Sequence, residues 1–466
     1  MRPSRHAWTA LGGCLALIFF SYTYNDNVVI SLHGMNVWSA LADGRILDFY
    51  AYNDGVSPPD TGFHAVPIVY GFATFSVIAI WNLPLWLLQE VAGVNVFTSV
   101  LALGWMKAIN VPFALGCAWL VQRISLRLAP ASRWAPWAGF VVLSSGFLVS
   151  AVFVMGQFDA IHAFFTMLGL YFLVQGRRRA FVVAFAVALA IKWFPLFVFL
   201  PVLLLVEKRP SRILLSLAGA LSLVVAFKLP FLFADNPSAE VGSSLMAAMV
   251  QDNRLPLGLE GVPVFPVLFA LVCIACYVRR PASLPEMHRT AVYAAFAGVA
   301  AFFVSAPAYP YWFALICPLF AVMWAIDPAR ARVNLLIETG LTAAMLVLHQ
   351  IHFYWTYDLG IVSPMILPRV FGSVESLVQP LDALGVYTRL GVVEYRALLA
   401  AVFTAGMVAL LVLNRPRSDA DLVVASEEDN TVDRTLVYGR AAVTVGLMLV
   451  PAAAYFYALL AHGRTG

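Results

Sequence analysis

Two ionisable side chains and an amide stand in the most apolar part of this chain. Gly156-Gln157-Phe158-Asp159 opens one apolar run, and Lys192 interrupts the next, within Ile191-Lys192-Trp193-Phe194-Pro195. Charged groups at membrane depth are costly, so each is a functional-site candidate by default. A lysine there suits a lipid phosphate, which it meets as a compact point charge. A carboxylate can hold a sugar hydroxyl, orient a base or support a metal. Plainer readings exist for the same residues. Asp159 sits where a helix N-terminus favours an acid, and Lys192 can snorkel to the interface.

The elements that must position these groups follow from the basic clusters on either side. Arg177-Arg178-Arg179 precedes Lys192 and Glu207-Lys208-Arg209 follows it. Roughly 27 residues lie between, too few for two spans of about 20 each. With both clusters on the inside, the chain dips into the bilayer and returns, turning near Lys192 and Pro195. Lys192 is then expected partway into the membrane, facing the site.

Composition sets the class. Of 466 residues, 62% are apolar and only 12% charged, and the mean hydropathy is +0.84. This is the signature of an all-α polytopic membrane protein. The net charge of +4 therefore does not point to nucleic acid; its distribution marks the inside loops. Cys14, Cys117, Cys273, Cys276 and Cys317 all lie in apolar runs, where packing is the expected role. The N-terminus has the look of a signal peptide but no small-residue cleavage site, and reads as a retained first span.

Basic loops give a self-consistent map of roughly 11–13 transmembrane helices. Residues 1–414 form the main membrane domain, 415–440 a polar inner loop, and 441–466 a last span. The first span, about Trp8 to Tyr24, exits to a first outer loop over 25–64, whose middle reads as a short amphipathic helix with Val37, Trp38, Leu41 and Ile46 toward the membrane. One net crossing is needed before Arg123, placed at about Gly104 to Gln122. The stretch Ala65 to Leu88 then lies on, or dips into, the outer face. Ala135 to Val154 exits and delivers Gly156 to Asp159 to the outer surface.

This map puts the polar candidates on one side: His33, Asn36, Asp43, Asp48, Asp54, Gln157, Asp159, Tyr309, Tyr311, His349, His352 and Asp358. A transporter needs sites reachable from both faces, whereas a one-sided cluster fits chemistry on an outer-leaflet lipid. His349 and His352 have a spacing that suits a metal, but no third ligand is visible and the adjacent aromatics favour interfacial packing. No metal or cofactor is implied.

Taken in order, these elements resemble the polytopic glycosyltransferases of the GT-C fold, closest to the GPI mannosyltransferase I (PIG-M) group and the bacterial polyprenyl-phosphate-mannose-dependent enzymes. Gly156-Gln157-Phe158-Asp159 is similar to that family's Gly-Asn/Gln-x-Asp. Ala188 to Pro195 is similar to its Ala-x-x-x-Lys-x-Tyr-Pro, with Phe194 for the tyrosine. Ser305 to Trp312 is similar to its Ser-x-Gln-Tyr-Phe-x-Trp, without the glutamine. The similarity is good over about Arg123 to Val206 and loose elsewhere.

The resemblance implies a GT-C-like bundle with juxtamembrane helices in its first outer loop. It implies inverting transfer of a hexose, mannose favoured, from a polyprenyl-phosphate sugar to an extracytoplasmic glycan or glycolipid, in the cell membrane. Asn36, Gln157, Lys192, Tyr309 and Tyr311 would contact substrate, and Asp159 would be catalytic. The family's early first-loop acid has no counterpart across His33-Gly34-Met35-Asn36. The base then falls to His33 or to a loop acid, Asp43, Asp48 or Asp54. The alternatives are a lipid-linked glycan transporter or flippase, and a non-catalytic GT-C-like protein.

Overall fold

The computed structural model describes residues 2–59, 61, 63–233, 250–251, 253–256, 261–306, 309–352, 387–416 and 431–462. Among them the only strands are a two-residue antiparallel ladder pairing Arg254 with Pro263 and Leu255 with Val262. Everything else regular is helical, and the chain is a polytopic helical membrane protein. Six helices are long and apolar enough to cross a bilayer, or seven if one bent pair counts as a span. Shorter apolar helices fill the interior around them.

The bent pair is α1 (Arg5–Ser21) and α2 (Asn25–Ala42), which meet at 76°. Ser4 caps α1, its hydroxyl accepting from the Ala7 N–H at 3.1 Å, a standard way to satisfy an orphan donor. At the other end, Lys107 Nζ donates to the carbonyls of Phe19 (2.8 Å) and Tyr22 (2.7 Å). Those carbonyls lost their helical partners at the bend. Helix α2 differs from the expected short amphipathic segment: it occupies 18 residues and is largely buried, from Asn27 to Met35 without interruption.

It is covered by α3 (Phe72–Ala92), which lies parallel to it. Gly34 sits against Ile78 and Ala79, Trp38 Nε1 donates to the Ala79 carbonyl (2.8 Å), and Trp86 Nε1 donates to Ser39 Oγ (3.0 Å). By length and composition α3 is also able to span the membrane. The crossing that reaches Arg123 runs through α4 (Val100–Ala108) and α5 (Asn110–Leu128), starting earlier and ending later than the sequence map has it.

The next span is the centre of the molecule and entirely buried. It consists of α6 (Ala138–Leu143), a break at Ser144-Ser145, a single turn, and a π-helical stretch Val149–Val154. Helix α7 (Asp159–Val174) follows, then α8 (Arg178–Ile191) and α9 (Leu196–Val206). α8 and α9 form the expected hairpin. The ends of the hairpin away from the turn meet where Arg178 pairs with Glu207 at 3.2 Å, and the turn lies at Lys192 to Pro195. Helix α10 (Pro210–Lys228) packs one side on α8 and fully buries only Ala220.

After it come α11 (Val264–Val278), α12 (Leu284–Phe303), α13 (Ile316–Ile326), α14 (Pro328–His352), α15 (Arg396–Leu413) and α16 (Arg434–His462). The start of α12 is set by Ser283, whose Oγ accepts from the Glu286 N–H at 3.1 Å, with Pro285 in the first turn. The expected outer stretch with Asp358, Arg369 and Asp382, most of the loop after Phe233, and most of the inner loop 415–440 lie outside the described residues.

Candidate functional site

Lys192 stands where α8 stops. Its backbone is extended (φ −155°, ψ 145°) and its N–H makes the last bond of the helix, to the Ala188 carbonyl. Pro195, three residues on, begins α9 and cannot donate to a helix continuing from α8. The hairpin is held at this point by Thr74 on α3, whose hydroxyl donates to the Ile191 carbonyl at 2.6 Å.

The lysine points into an enclosure. Nζ lies 2.8 Å from Asp159 Oδ1, and four rings surround it: Phe194 at 5.3 Å, Tyr70 and Tyr311 at 5.4 Å, Trp312 at 5.6 Å to their centroids. These distances are within cation–π range. The Lys192 side chain keeps 12% exposure while Asp159 keeps 1%, so Lys192 is the more exposed member of the pair. Asp159 is the first residue of α7, where the helix dipole favours its charge. Its Oδ1 is also 3.0 Å from His162 Nε2.

A second polar line runs beside the first. Gly156 turns the chain at φ 65°, and its carbonyl accepts from the side-chain amides of Asn110 (2.7 Å) and Asn27 (2.5 Å). Gln157, next in sequence, is fully buried. Its Nε2 donates to Asp26 Oδ2 at 3.4 Å, and the Tyr70 hydroxyl donates to its Oε1 at 3.5 Å. Tyr70 and Tyr311 lie within electrostatic reach of both Asp26 and Asp159. The site therefore holds two carboxylates and one ammonium, walled by aromatic rings.

The structure thus brings together Gln157, Asp159, Lys192 and Tyr311, with Tyr309 stacked on Tyr311 at 5.6 Å. The first-loop residues are placed elsewhere. His33 is completely buried on α2 with its ring against Phe75. Asn36 donates to Asn53 Oδ1 at 2.7 Å. Asp43, Asp48 and Asp54 are exposed, and Asp48 pairs with Arg45 at 3.7 Å. A carboxylate not among the sequence candidates, Asp26, lies directly after the first span and is hydrogen-bonded to Gln157. Its place in a polar Asn25-Asp26-Asn27 triplet at a helix start is the signal that could have found it.

His162 was missed as well, though its spacing of three from Asp159 on a helix places the two on one face. Lys107, a lone lysine in an apolar run, carries the same signal as Lys192 but spends its charge on the α1 carbonyls. His349 is buried beside Phe313. Among the described residues no three His, Cys, Asp or Glu side chains converge as a metal site would require.

No protein-family model matches this chain, and no curated protein matches it. Among solved structures, the chain is similar to the arabinosyltransferase EmbB from Mycobacterium smegmatis, at 13% identity and a TM-score of 0.40. The alignment covers 97% of this chain and 41% of that one, so this chain spans about two fifths of that protein's length. A likeness at this level carries no chemistry from one protein to the other.

Proposed function

We propose that the chain is a membrane glycosyltransferase that moves a hexose, mannose favoured, from a polyprenyl-phosphate sugar to an extracytoplasmic glycan or glycolipid acceptor. The observation that carries the reading is Lys192. An ammonium at the tip of a membrane hairpin, paired with a buried carboxylate and ringed by aromatics, is a receptor for one anionic lipid head.

In the proposed reaction the donor phosphate binds at Lys192, and the sugar lies against Tyr311 and Trp312 with Tyr309 at the edge. Asp26 takes the proton from the acceptor hydroxyl. The hydroxyl oxygen forms a bond to the anomeric carbon from the face opposite the phosphate, the anomeric C–O bond breaks, and the lipid phosphate leaves with the electron pair. The product is inverted at the anomeric carbon. Negative charge grows on the departing phosphate, and a fixed ammonium in a dry site stabilises it electrostatically. Asp159 and His162 hold Lys192 in place, and Gln157 fixes Asp26.

In this proposal Asp26 fills the role for which His33, Asp43 and Asp48 were candidates, and the motive for a non-catalytic reading falls away. A lipid-linked glycan flippase would need polar groups along a path to the inner face. Glu338 on α14 and Arg440 on α16, charges buried inside the bundle, satisfy each other in a pair and so offer no such path.

The test is transfer from a radiolabelled polyprenyl-phosphate mannose in membranes containing the full chain. Lys192→Ala should abolish it. Transfer at the wild-type rate in that variant would sink the assignment.

A further inference from the structure

The span that feeds the site is broken in its middle, and the break is occupied by a charged pair from two other helices. After α6 ends at Leu143, the Ser145 N–H bonds the Val142 carbonyl rather than that of Val141. The freed Val141 carbonyl accepts from Arg440 Nη1 on α16 at 3.1 Å, and the same nitrogen donates to Ser144 Oγ at 3.0 Å. Arg440 Nη2 donates to Glu338 Oε1 on α14 at 2.6 Å, and its Nε bonds Glu338 Oε2. The Ser145 hydroxyl donates to Glu338 Oε1 at 3.0 Å.

Both charged side chains are sealed, Arg440 at 3% and Glu338 at 4% exposure. Gly146 lies so close to Thr342 on α14 that a Cβ there would collide with it, and Leu346 on α14 and Thr444 on α16 are its next neighbours. Two helices remote in sequence therefore grip one joint.

What lies beyond the joint is the site. The turn after Gly146 runs into the π-helical stretch Val149–Val154, an irregular form that often marks functional positions. Its Ala151 carbonyl accepts from the Gln157 N–H at 3.0 Å, and its Ser150 carbonyl accepts from the Met155 N–H at 3.0 Å. Phe147 stacks on Phe313 at 4.9 Å, in the short helix Pro310–Ala314 that carries Tyr311 and Trp312. One segment thus supports both walls of the Lys192 enclosure.

A buried ion pair is weak evidence for stability, because desolvation offsets attraction. Its best-supported use is to fix one arrangement among several. We propose that Arg440 and Glu338 are positioning residues: they lock the Ser144-Ser145 break and thereby set where Asp159 and Trp312 stand relative to Lys192. This inference rests on reading that cluster as the transfer site, but its test does not require transfer.

The experiment measures acetylation of Lys192 by acetic anhydride, followed by mass spectrometry, on the full chain in lipid nanodiscs. Glu338→Gln and Arg440→Gln are compared with wild type and with Phe97→Ala, a truncation in a core cluster that holds no residue of α6, α14 or α16 and that should lower thermal stability. Loosening of the enclosure should raise the Lys192 rate at least about fivefold in both neutral variants, while the truncation stays near wild type.

Arg440→Lys keeps the charge but not the fork, so it should fall between. It is also the variant read if the neutral ones fail to fold. Lys192 rates equal to those of Phe97→Ala, in whichever of these variants folds, would overturn the proposal and leave a local staple. Absence of sugar transfer in the wild type would instead sink the functional reading alone.

Discussion

Arg178 Nη1 and Glu207 Oε2 stand 3.2 Å apart although 29 residues separate them in the chain. The two helices between them therefore leave and return at one level. Helix α8 has 14 residues, about 21 Å of rise, against a hydrocarbon core of about 30 Å. Entering and leaving at one face, such a hairpin is too short to cross, and the proposed function requires its tip at Lys192 to lie inside the bilayer.

That geometry predicts a labelling pattern. With the five native cysteines replaced by alanine, Arg178→Cys and Glu207→Cys should react with an impermeant thiol reagent from the same side of sealed vesicles. Reaction of the two from opposite sides would make α8 and α9 separate spans and remove the dip. The pair itself should matter little to stability. Arg178 is 58% exposed, and such pairs contribute at most about 1 kcal/mol.

A second prediction separates the candidate bases. Asp26→Asn should cut kcat for transfer by about 100-fold or more while leaving the donor KM within about threefold, the pattern of a lost general base. Asp43→Asn and Asp48→Asn, both exposed, should leave both parameters near wild type. His33→Ala should act through folding, lowering yield and thermal midpoint without a selective loss of kcat. A selective kcat loss in His33→Ala with an active Asp26→Asn would move the base to α2.

The α8–α9 hairpin was legible because it is counted in residues: two basic clusters have too few apolar positions between them for two spans. The Lys192–Asp159 pairing was legible for a related reason, since each is a lone charge in a greasy run and each needs a partner. Asp26 was hidden because the family pattern was sought near His33, where α2 is already buried against α3. The Arg440–Glu338 pair is beyond any local reading. Its partners are 102 residues apart and meet at a helix break that no proline or glycine run announces.

A pH dependence follows at Lys208, which joins α9 to α11 by donating to the carbonyls of Leu204 (2.6 Å) and Cys276 (2.8 Å). Burial, helped by Arg280, pushes the Lys208 ammonium down to about 8 from its ordinary 10.5. The unfolded chain then binds more protons between those values, so stability rises with pH across that window. The neutral amine still has N–H groups for both carbonyls. The thermal midpoint should rise from pH 8 toward 10.5 relative to Lys208→Met, which lacks the group. Parallel pH profiles for the two proteins would refute the assignment.

The last prediction concerns where the bundle has no slack. Gly298 on α12 faces α9 so closely that a Cβ would run into the backbone carbonyl of Phe197. Backbone cannot swing aside as a side chain can, so Gly298→Ala must push two helices apart. Phe197 packs on Phe265, Phe269 and Phe302, and the aromatic wall continues through Phe194 to the Lys192 enclosure. The substitution should cost about 1–3 kcal/mol and lower transfer along with stability. Gly12 on α1 is the matched control, with nothing within 4 Å of the added atom; Gly12→Ala should be neutral or stabilise by up to about 1 kcal/mol. Thermal unfolding of both variants in one detergent decides it: equal midpoints would mean that α9 and α12 are not in backbone contact.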